Sequence, residues 1–395
     1  MVAACFAVTA TLGETFWSFG VFFKPLENEF GWSRAITSSG YTAFLVAFAI
    51  SLIFGGRLAD RYSPRPILLI ASLLAGLGIS LCSQIDNIAQ LRIFLFIAGL
   101  GAGATWAVPT STVQRWFYKR RRADLALGIV ITGVGVGALI FAPLINYLIL
   151  NQGWRYAYLL VGIIFFTVIA IASLVVKRGP ADIPAVAPQR EKATSNLFSI
   201  KSGAIGTLVT TRSFMGISFA IFSGVLAFQV VSVHMVPAAA DVGISPTAAA
   251  AALGLIGGFS IPGRIISGLI SDRIGWQKTL ALSLIGTALS LSLLLFLQAT
   301  WMLYCFAFFY GTAHGIRITA QVGIMGGFYG MTSLGEIIGT STAIAHSAGA
   351  FAPYITGFIF DITGSYLIAF IIVMVLLFSG GFISTIIKQP ATTLK

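Results

Sequence analysis

Twelve apolar segments, each long enough to cross a lipid bilayer, follow one another along the chain. A transmembrane helix needs roughly 20 mainly apolar residues to span the hydrocarbon layer. Charged residues make up 9% of the 395 residues, whereas soluble domains usually carry about a quarter, so the chain is expected to bury its surface in lipid. The sequence therefore predicts an all-α membrane protein with twelve transmembrane helices. Their windows are 2–23, 35–58, 66–85, 90–113, 125–150, 155–176, 206–236, 246–271, 279–297, 300–325, 334–360 and 366–387.

The segment between the sixth and seventh windows has a different composition. Residues 177–205 contain three prolines and mixed charges, which is typical of an exposed linker. We therefore expect an N-terminal six-helix half at 1–176, a cytoplasmic linker at 177–205 and a C-terminal six-helix half at 206–395.

The basic residues predict the orientation of the helices. If both termini are cytoplasmic, eighteen of the 24 Lys and Arg residues fall at the inner helix ends and four at the outer ends. Cytoplasmic loops of membrane proteins carry an excess of Lys and Arg. We therefore expect a multi-pass protein of the cell membrane (plasma or inner) with both termini inside. The same distribution accounts for the net charge of +12 without a nucleic-acid partner.

Two short segments repeat at corresponding places in the two halves. Residues 56–61 read GRLADR after the second window, and residues 268–273 read GLISDR after the eighth. Both resemble the loop signature of the major facilitator superfamily, whose members consist of two six-helix repeats. The resemblance implies gating loops, in which a carboxylate at a helix end pairs with an arginine or a helix terminus. The residues concerned are Asp60, Arg61, Asp272 and Arg273.

The beginning of the fifth window resembles one particular family within that superfamily. Residues 115–128 read RWFYKRRRADLALG, and three more glycines follow at alternate positions within 133–137. This pattern is similar to helix 5 of the monocarboxylate transporter family, and DITGSY at 361–366 resembles the same family. The bacterial oxalate/formate antiporters are close relatives that share part of the pattern. We expect the glycines, Gly128 included, to allow close approach of neighbouring helices.

Two positions depart from the mammalian-type members of that family. The place of their coupling lysine in helix 1 is taken by Trp17, and the place of an aspartate one turn before the helix 8 arginine is taken by Ser260. The resemblance therefore leaves the proton-carrying residue open.

Arg264, in the eighth window, is the main candidate for binding substrate. No acidic residue lies within one turn of it. An ionisable residue inside a membrane span is costly and usually functional, and a guanidinium group can bind a carboxylate through two parallel hydrogen bonds. The family resemblance implies that the substrate-binding arginine occupies this place. The alternative is an arginine that only extends to the lipid headgroups.

Five further ionisable residues are candidates for proton coupling. Glu14 lies in the middle of the first window, and His234 lies near the outer end of the seventh. His314 and Arg317 share one face of the tenth window. His346, in the eleventh window, falls near the place where the oxalate/formate antiporters carry a second cation. Each of the three histidines can instead make an ordinary hydrogen bond between helices.

A carboxylate substrate also needs apolar walls and a few polar contacts. Leu12, Phe16 and Trp17 of the first window and Phe259 of the eighth lie at usable depths, although most aromatic residues here are expected to be ordinary packing. Tyr310 offers a hydroxyl group, and we include it with His346 among the substrate-binding candidates.

The charge count favours one class of substrate. One arginine balances one carboxylate, so Arg264 beside a neutral His346 favours a small monocarboxylate such as lactate or pyruvate. A protonated His346 favours an oxalate-like substrate instead. We predict a proton symporter that works by alternating access, functions as a monomer and is not an enzyme. We expect no cofactor and no metal, since the histidines lack metal-ligand spacing. An oxalate/formate-type antiporter is the first alternative, and a non-transporting membrane sensor or enzyme is the second.

Overall fold

The computed structural model is almost entirely α-helical. It describes residues 2–117, 123–177, 211–329 and 334–387, apart from a few side chains within these ranges. The described residues form thirteen helices, with a short 3-10 turn after the third. They are α1 (Val2–Phe30), α2 (Arg34–Arg61), α3 (Pro64–Leu81), α4 (Ile88–Trp116), α5 (Ala123–Gln152), α6 (Trp154–Val175), α7 (Arg212–Asp241), α8 (Pro246–Ile274), α9 (Trp276–Leu295), α10 (Thr300–Tyr329), α11 (Leu334–Gly349), α12 (Ala352–Thr363) and α13 (Leu367–Ile386).

Short polar residues and glycines set several helix ends. The hydroxyl groups of Ser33, Thr211 and Ser245 each accept a hydrogen bond from a backbone N–H in the first turn of the following helix. Gly153 and Gly275 take positive φ angles of 85° and 82°, which lets consecutive helices meet without an intervening loop. The connections between the long helices are therefore mostly short.

Helices occupy all twelve predicted windows, and the predicted fold class is confirmed. Ten of the described helices are long and apolar enough to cross a membrane by themselves. The eleventh window contains α11 and α12, which are separated by two residues just before Pro353. The predicted end of the first window, at Lys24 and Pro25, is too early, because α1 continues through Pro25 to Phe30. A proline removes one helical hydrogen bond, and neighbouring helices stabilise the helix around it.

The first six helices and the last seven pack in the same pattern. In the first group α1 packs on α5, α2 on α4, and α3 on α4 and α6. In the second group α7 packs on α11, α8 on α10, and α9 on α10 and α13. The groups meet where α1 contacts α7, α2 contacts α12 and α5 contacts α8. The repeated loop sequence thus accompanies a repeated packing arrangement. Most of the predicted linker, 177–205, lies outside the described residues.

Glycines allow the closest of these contacts. A Cβ atom at Gly137 of α5 would overlap the carbonyl oxygen of Ala10 on α1, and one at Gly135 would lie 2.6 Å from the carbonyl oxygen of Gly257 on α8. The expectation of close helix approach is therefore correct at these two positions. It is wrong at Gly128, where an added Cβ would meet no described atom within 4 Å.

The helix connections lie on two opposite faces of the bundle. The Arg34 face carries the α1–α2, α7–α8 and α12–α13 connections, and the Asp272 face carries α2–α3 and α8–α9. Near the Arg34 face, α5 and α8 are joined by a 3.3 Å hydrogen bond between Asn146 and Thr247. Toward the Asp272 face, added Cβ atoms at Gly128 and Gly268 would meet nothing described within 4 Å. The two groups of helices are thus in contact near the Arg34 face, while the described residues leave open space at Gly128 and Gly268.

Candidate functional site

Arg264 lies on α8 where that helix meets α5. Its Nη1 donates a 2.7 Å hydrogen bond to the backbone carbonyl of Ile131, which belongs to the first group of helices. Its Nε is buried and has no hydrogen-bond partner among the described residues. Among the described residues, no carboxylate forms an ion pair with Arg264. A half-buried cation with a free donor can bind an exchangeable anion.

Arg317 lies on α10 at nearly the same depth as Arg264. The two helices run in the same direction, and a Cβ at Gly263, next to Arg264, would lie 3.2 Å from the Cα of Gly315. The Arg317 side chain is only 4% exposed. The structure therefore places the backbones of Arg264 and Arg317 at one level of the bundle, on neighbouring helices.

Glycine on α7 makes room for Arg317. A Cβ at Gly224 would overlap the Cδ of Arg317, so this long side chain passes directly over the α7 backbone. Its Nη1 donates to the Oε1 of Gln321 at 3.3 Å, and its Nη2 lies 3.4 Å from the Nδ1 of His314. Both partners are neutral when the histidine accepts through Nδ1.

His314 stands among aromatic rings at the centre of the bundle. It stacks on Phe228 at 5.0 Å and on Tyr310 at 6.1 Å between ring centroids, and Trp17 meets it edge-on at 6.2 Å. Both Arg264 and Arg317 lie close enough to act on it electrostatically. Four residues predicted from the sequence therefore lie near His314: Trp17, Arg264, Tyr310 and Arg317.

Two polar side chains, one in this cluster and one on α7 near Gly349 of α11, are buried without partners among the described residues. The hydroxyl group of Tyr310 and both amide atoms of Gln229 are inaccessible and make no hydrogen bond with described residues. A buried polar group without a partner costs roughly 1–3 kcal/mol. Such groups are explained most directly by a ligand or water that completes them. Gln229 was not predicted from the sequence.

The predicted apolar walls divide into two sets. Leu12 is fully buried, and Phe16 meets Phe48 and Phe228 edge-on at 5.0 and 5.9 Å. Phe228 links these residues to His314. Phe259 instead packs against Phe308, which is 47% exposed on the surface of the bundle. The structure therefore does not bring Phe259 to the His314 cluster.

His346 lies on α11 at the edge of the same region. Its Nδ1 donates to the backbone carbonyl of Thr342 at 3.0 Å, and its ring centroid lies 6.1 Å from that of Phe48. Arg317 is the nearby cation that acts on it electrostatically. His346 is thus a neighbour of the cluster, bonded to its own helix.

The predicted gating pairs are only partly visible. The side chains of Asp60 and Arg61 lie outside the described residues, as does that of Glu14. Asp272 and Arg273 are exposed at the end of α8, and the structure gives neither side chain a hydrogen bond or ion pair with a described residue. Their gating role stays a prediction.

A second arginine site lies at the Arg34 face. Arg34 is 5% exposed, and its two terminal nitrogens each donate to one Asp241 oxygen at 2.6 Å. Its Nε donates to Glu27 at 3.1 Å. Lys24 adds ion pairs of 2.8 Å to Glu27 and 3.1 Å to Asp241. Bidentate arginine–carboxylate pairs are among the strongest charged hydrogen bonds, so this cluster firmly joins α1 and α2 to α7.

Asp361 and two aromatic rings extend this cluster to α12 and α13. The carboxylate of Asp361 accepts from the backbone N–H groups of Arg34 and Ala35 at 2.9 Å each, at the N-terminus of α2. The guanidinium carbon of Arg34 lies 3.6 Å from the Phe360 ring centroid and 5.1 Å from that of Tyr366. The helix dipole favours a carboxylate here, and the rings favour the cation. We call Lys24, Glu27, Arg34, Asp241 and Asp361 the Arg34 network.

His234 lies behind the Arg34 network and is fully buried. Its Nε2 donates to the carbonyl of Pro353 at 2.8 Å, and its Nδ1 accepts from the Tyr366 hydroxyl at 3.1 Å. The hydroxyl group of Ser38 lies 3.4 Å from Nε2. Both ring nitrogens are engaged, so the histidine connects α7 to α12 and α13.

The sequence analysis did not predict the Arg34 network. Its five members all fall near the outer ends of the predicted first, second, seventh and eleventh windows. Opposite charges gathered at one end of several spans were a usable signal. Which of them pair depends on how the helices are arranged.

Comparison with known proteins agrees with this architecture. A protein-family model described as Major Facilitator Superfamily matches residues 4–321 and 217–394. The chain belongs to the major facilitator superfamily. Among curated members, it is 27% identical to Monocarboxylate transporter 13 of Rattus norvegicus over 387 residues, which covers 96% of this chain and 86% of that one. It is 26% identical to Monocarboxylate transporter 11 of Homo sapiens, over 97% of this chain and 81% of that one.

Other members of the superfamily extend the comparison. The Oxalate:formate antiporter of Oxalobacter formigenes is 24% identical over 266 residues, covering 67% of this chain and 61% of the antiporter. The predicted resemblance to monocarboxylate transporters and these antiporters is thereby confirmed. The crystal structure of a D-xylose-proton symporter aligns with a TM-score of 0.76 at 14% identity, over 100% of this chain and 99% of that one. That alignment shows the shared fold.

Proposed function

We propose that this transporter, related to the monocarboxylate transporters, carries a small monocarboxylate of the lactate or pyruvate type together with a proton. Arg264 is the observation that carries the proposal. It is a half-buried arginine with an inaccessible, free Nε donor, without a carboxylate among the described residues, at the contact between the two groups of helices. The carboxylate binds Arg264, and Leu12, Phe16 and Trp17 form the apolar wall with Tyr310 as a polar contact.

Binding at Arg264 also explains how the substrate changes the contact between helices. The Nη1 of Arg264 donates to the backbone of Ile131 on α5. A carboxylate that accepts from the guanidinium group competes for this donor. Occupancy therefore weakens the polar link between α8 and α5 and lets the two groups move relative to each other.

The direction of the proposed movement depends on which side of the membrane each face meets. We assign the Arg34 face to the outside and the Asp272 face to the cytoplasm of the cell membrane, with both termini inside. The halves 1–176 and 206–395 rock about the site, and the linker 177–205 joins them. The Arg34 network closes the outer face, while the Asp60–Arg61 and Asp272–Arg273 pairs act as the cytoplasmic gate. The proton is carried by Glu14, His346, His234 or His314, and one chain suffices for transport.

Anion exchange is the second candidate function. It is favoured by the presence of a second buried cation, Arg317, at the depth of Arg264, and by the similarity to the Oxalate:formate antiporter. In that case uptake depends on an anion inside the vesicle and does not depend on a proton gradient.

Uptake of radiolabelled L-lactate into proteoliposomes tests the proposal. We expect an inward proton gradient to drive accumulation in the wild type, an uncoupler to abolish it, and Arg264→Ala to reduce uptake to background. Arg92→Gln is the matched control, because Arg92 is an exposed arginine on the Arg34 face that bonds only Ser39 among the described residues. Lactate uptake that persists in Arg264→Ala contradicts the assigned site. Uptake that requires internal anions and ignores the gradient establishes exchange instead.

A further inference from the structure

Arg317 is a buried cation whose described partners are all neutral. Its side chain is 4% exposed, and its two hydrogen-bond contacts, to Gln321 and His314, are long at 3.3 and 3.4 Å. A guanidinium group has five N–H donors, and a buried charge is costly unless an opposite charge pairs with it. The described ion pairs include no carboxylate on Arg317. An anion that binds here would neutralise the buried charge of Arg317.

Other polar and small residues accompany Arg317 on α10 and α7. Tyr310, His314 and Arg317 follow each other at four- and three-residue spacing, so they lie on one face of α10. The buried Tyr310 hydroxyl has no hydrogen-bond partner among the described residues. Gly224 leaves the space that the Arg317 side chain occupies. A free hydroxyl on the same helix and a space on α7 thus accompany the cation.

Arg264 lies at nearly the same depth on the neighbouring helix, and both arginines act on His314. Two fixed cations match two negative charges. A single carboxylate on Arg264 leaves Arg317 with neutral partners only, whereas a dianion pairs with both.

We propose that Arg317 is a second carboxylate anchor, so that the substrates include small aliphatic dicarboxylates with one carboxylate on Arg264 and the other on Arg317. The inference rests on the proposed carboxylate transport through Arg264. In this proposal the second cation of the site is Arg317. His346, the earlier candidate, is bonded to its own helix. Monocarboxylates occupy only the Arg264 part of the site.

Competition and direct uptake test the inference in the reconstituted wild-type protein. Oxalate, malonate, succinate and glutarate are each added against radiolabelled L-lactate, and labelled forms of the competitors are then offered for uptake. At least one dicarboxylate is expected to compete more strongly than acetate or propionate and to be transported. The chain length that competes best reports the spacing of the two anchors.

Arg317→Gln distinguishes an anchor from a structural residue. The loss of a charged hydrogen bond corresponds to a decrease in dicarboxylate affinity on the order of 10- to 100-fold, while lactate affinity changes by less than about threefold. Arg317→Lys keeps the charge without the two-pronged geometry, and its dicarboxylate affinity is expected to lie between the two. Arg264→Gln reduces the affinity for both classes, and Arg92→Gln serves as the control.

Three outcomes separate the two proposals. If lactate is transported but no dicarboxylate competes, or if Arg317→Gln weakens both classes equally, the second anchor is overturned and the proposed function stands. If dicarboxylates are transported and lactate is not, the anchor stands and the monocarboxylate assignment fails. If Arg317→Gln does not fold, thermal unfolding of the wild type decides. A dicarboxylate that raises the unfolding temperature more than a monocarboxylate does at equal concentration supports the anchor, and equal shifts overturn it.

Discussion

Arg34 and the pair Arg264 and Arg317 are arginines in opposite situations, with Arg34 and Arg317 buried and Arg264 half-buried. Arg34 has carboxylates of Asp241 and Glu27 on three of its nitrogens and two aromatic rings beside it. Arg264 and Arg317 bond only to a backbone carbonyl, an amide and an imidazole among the described residues. The same side chain is thus neutralised by carboxylates at the Arg34 face and has no carboxylate partner among the described residues in the centre.

The difference shows what each site can do. A buried ion pair that loses one member leaves an uncompensated charge, so an internally paired arginine maintains a contact between helices. An unpaired arginine loses hydration without gaining an ion pair in exchange. It is therefore stabilised most when an anion binds to it. This contrast is the reason for proposing that the Arg34 network closes one face and that the central arginines bind substrate.

The largest expected effect on stability is that of Arg34→Gln. The substitution leaves the carboxylates of Asp241 and Glu27 without their guanidinium partner, which we expect to cost about 3 kcal/mol of the stability of the closed face. Thermal unfolding in detergent measures it. Combining Arg34→Glu with Asp241→Arg reverses the pair and should restore part of the loss. Unfolding of Arg34→Gln at the wild-type temperature would show that the network contributes nothing.

Gly224→Ala tests whether the Arg317 side chain passes over the backbone of α7. The added methyl group would overlap the Cδ of Arg317, and overpacking of this kind costs about 1–3 kcal/mol. The displaced guanidinium should also bind dicarboxylates more weakly. Gly128→Ala is the matched control, because the new Cβ meets no described atom within 4 Å and alanine favours the helix. A Gly224→Ala protein that behaves like Gly128→Ala contradicts the described position of Arg317.

Asp361→Asn is expected to have a smaller effect, of about 1 kcal/mol. The amide keeps one acceptor for the first N–H groups of α2 but loses the charge that the helix N-terminus favours. Asp361 is exposed, so salt should screen the interaction. We expect the difference in unfolding temperature between wild type and variant to shrink as ionic strength rises. A difference independent of salt would indicate a purely geometric role for the carboxylate.

Arg264→Gln should have the smallest effect on stability, within about 0.5 kcal/mol, although it abolishes transport. No described carboxylate is left unpaired by the change, and glutamine can still donate to the carbonyl of Ile131. Thermal unfolding without substrate measures this, and added substrate should stabilise only the wild type. A loss as large as that of Arg34→Gln would reveal an internal partner of Arg264 and remove the contrast between the two sites.

The helices could be predicted from sequence because length and apolar composition are local properties. Each of the twelve windows contains a helix, and the failure at Lys24 and Pro25 arose where charge and proline suggested an end that the neighbouring helices do not require. Arg264 stood out for the same local reason, since a charge inside an apolar window is visible without a structure. The pairing of Arg34 with Asp241, 207 residues apart, depends on how distant helices pack.

Sequence alone also could not tell which way a side chain points. Phe259 and Tyr310 both lie at suitable depths, yet Phe259 packs against the exposed Phe308 while Tyr310 stacks on His314. Similarly, Arg317 was predicted only as a proton-coupling candidate. Its neutral surroundings and the space at Gly224 appear only when α7 and α10 are placed together.

The two central arginines also expose the empty transporter to membrane voltage. An elementary charge that crosses the whole membrane field gains or loses about 2.3 kcal/mol per 100 mV. If their access switches between the two sides, an interior-negative potential favours the conformation in which they face inward. A bound dianion cancels both charges and removes this bias. Voltage would then act on the return of the unloaded protein rather than on the loaded step, and charging the membrane would change the turnover rate more than the apparent substrate affinity.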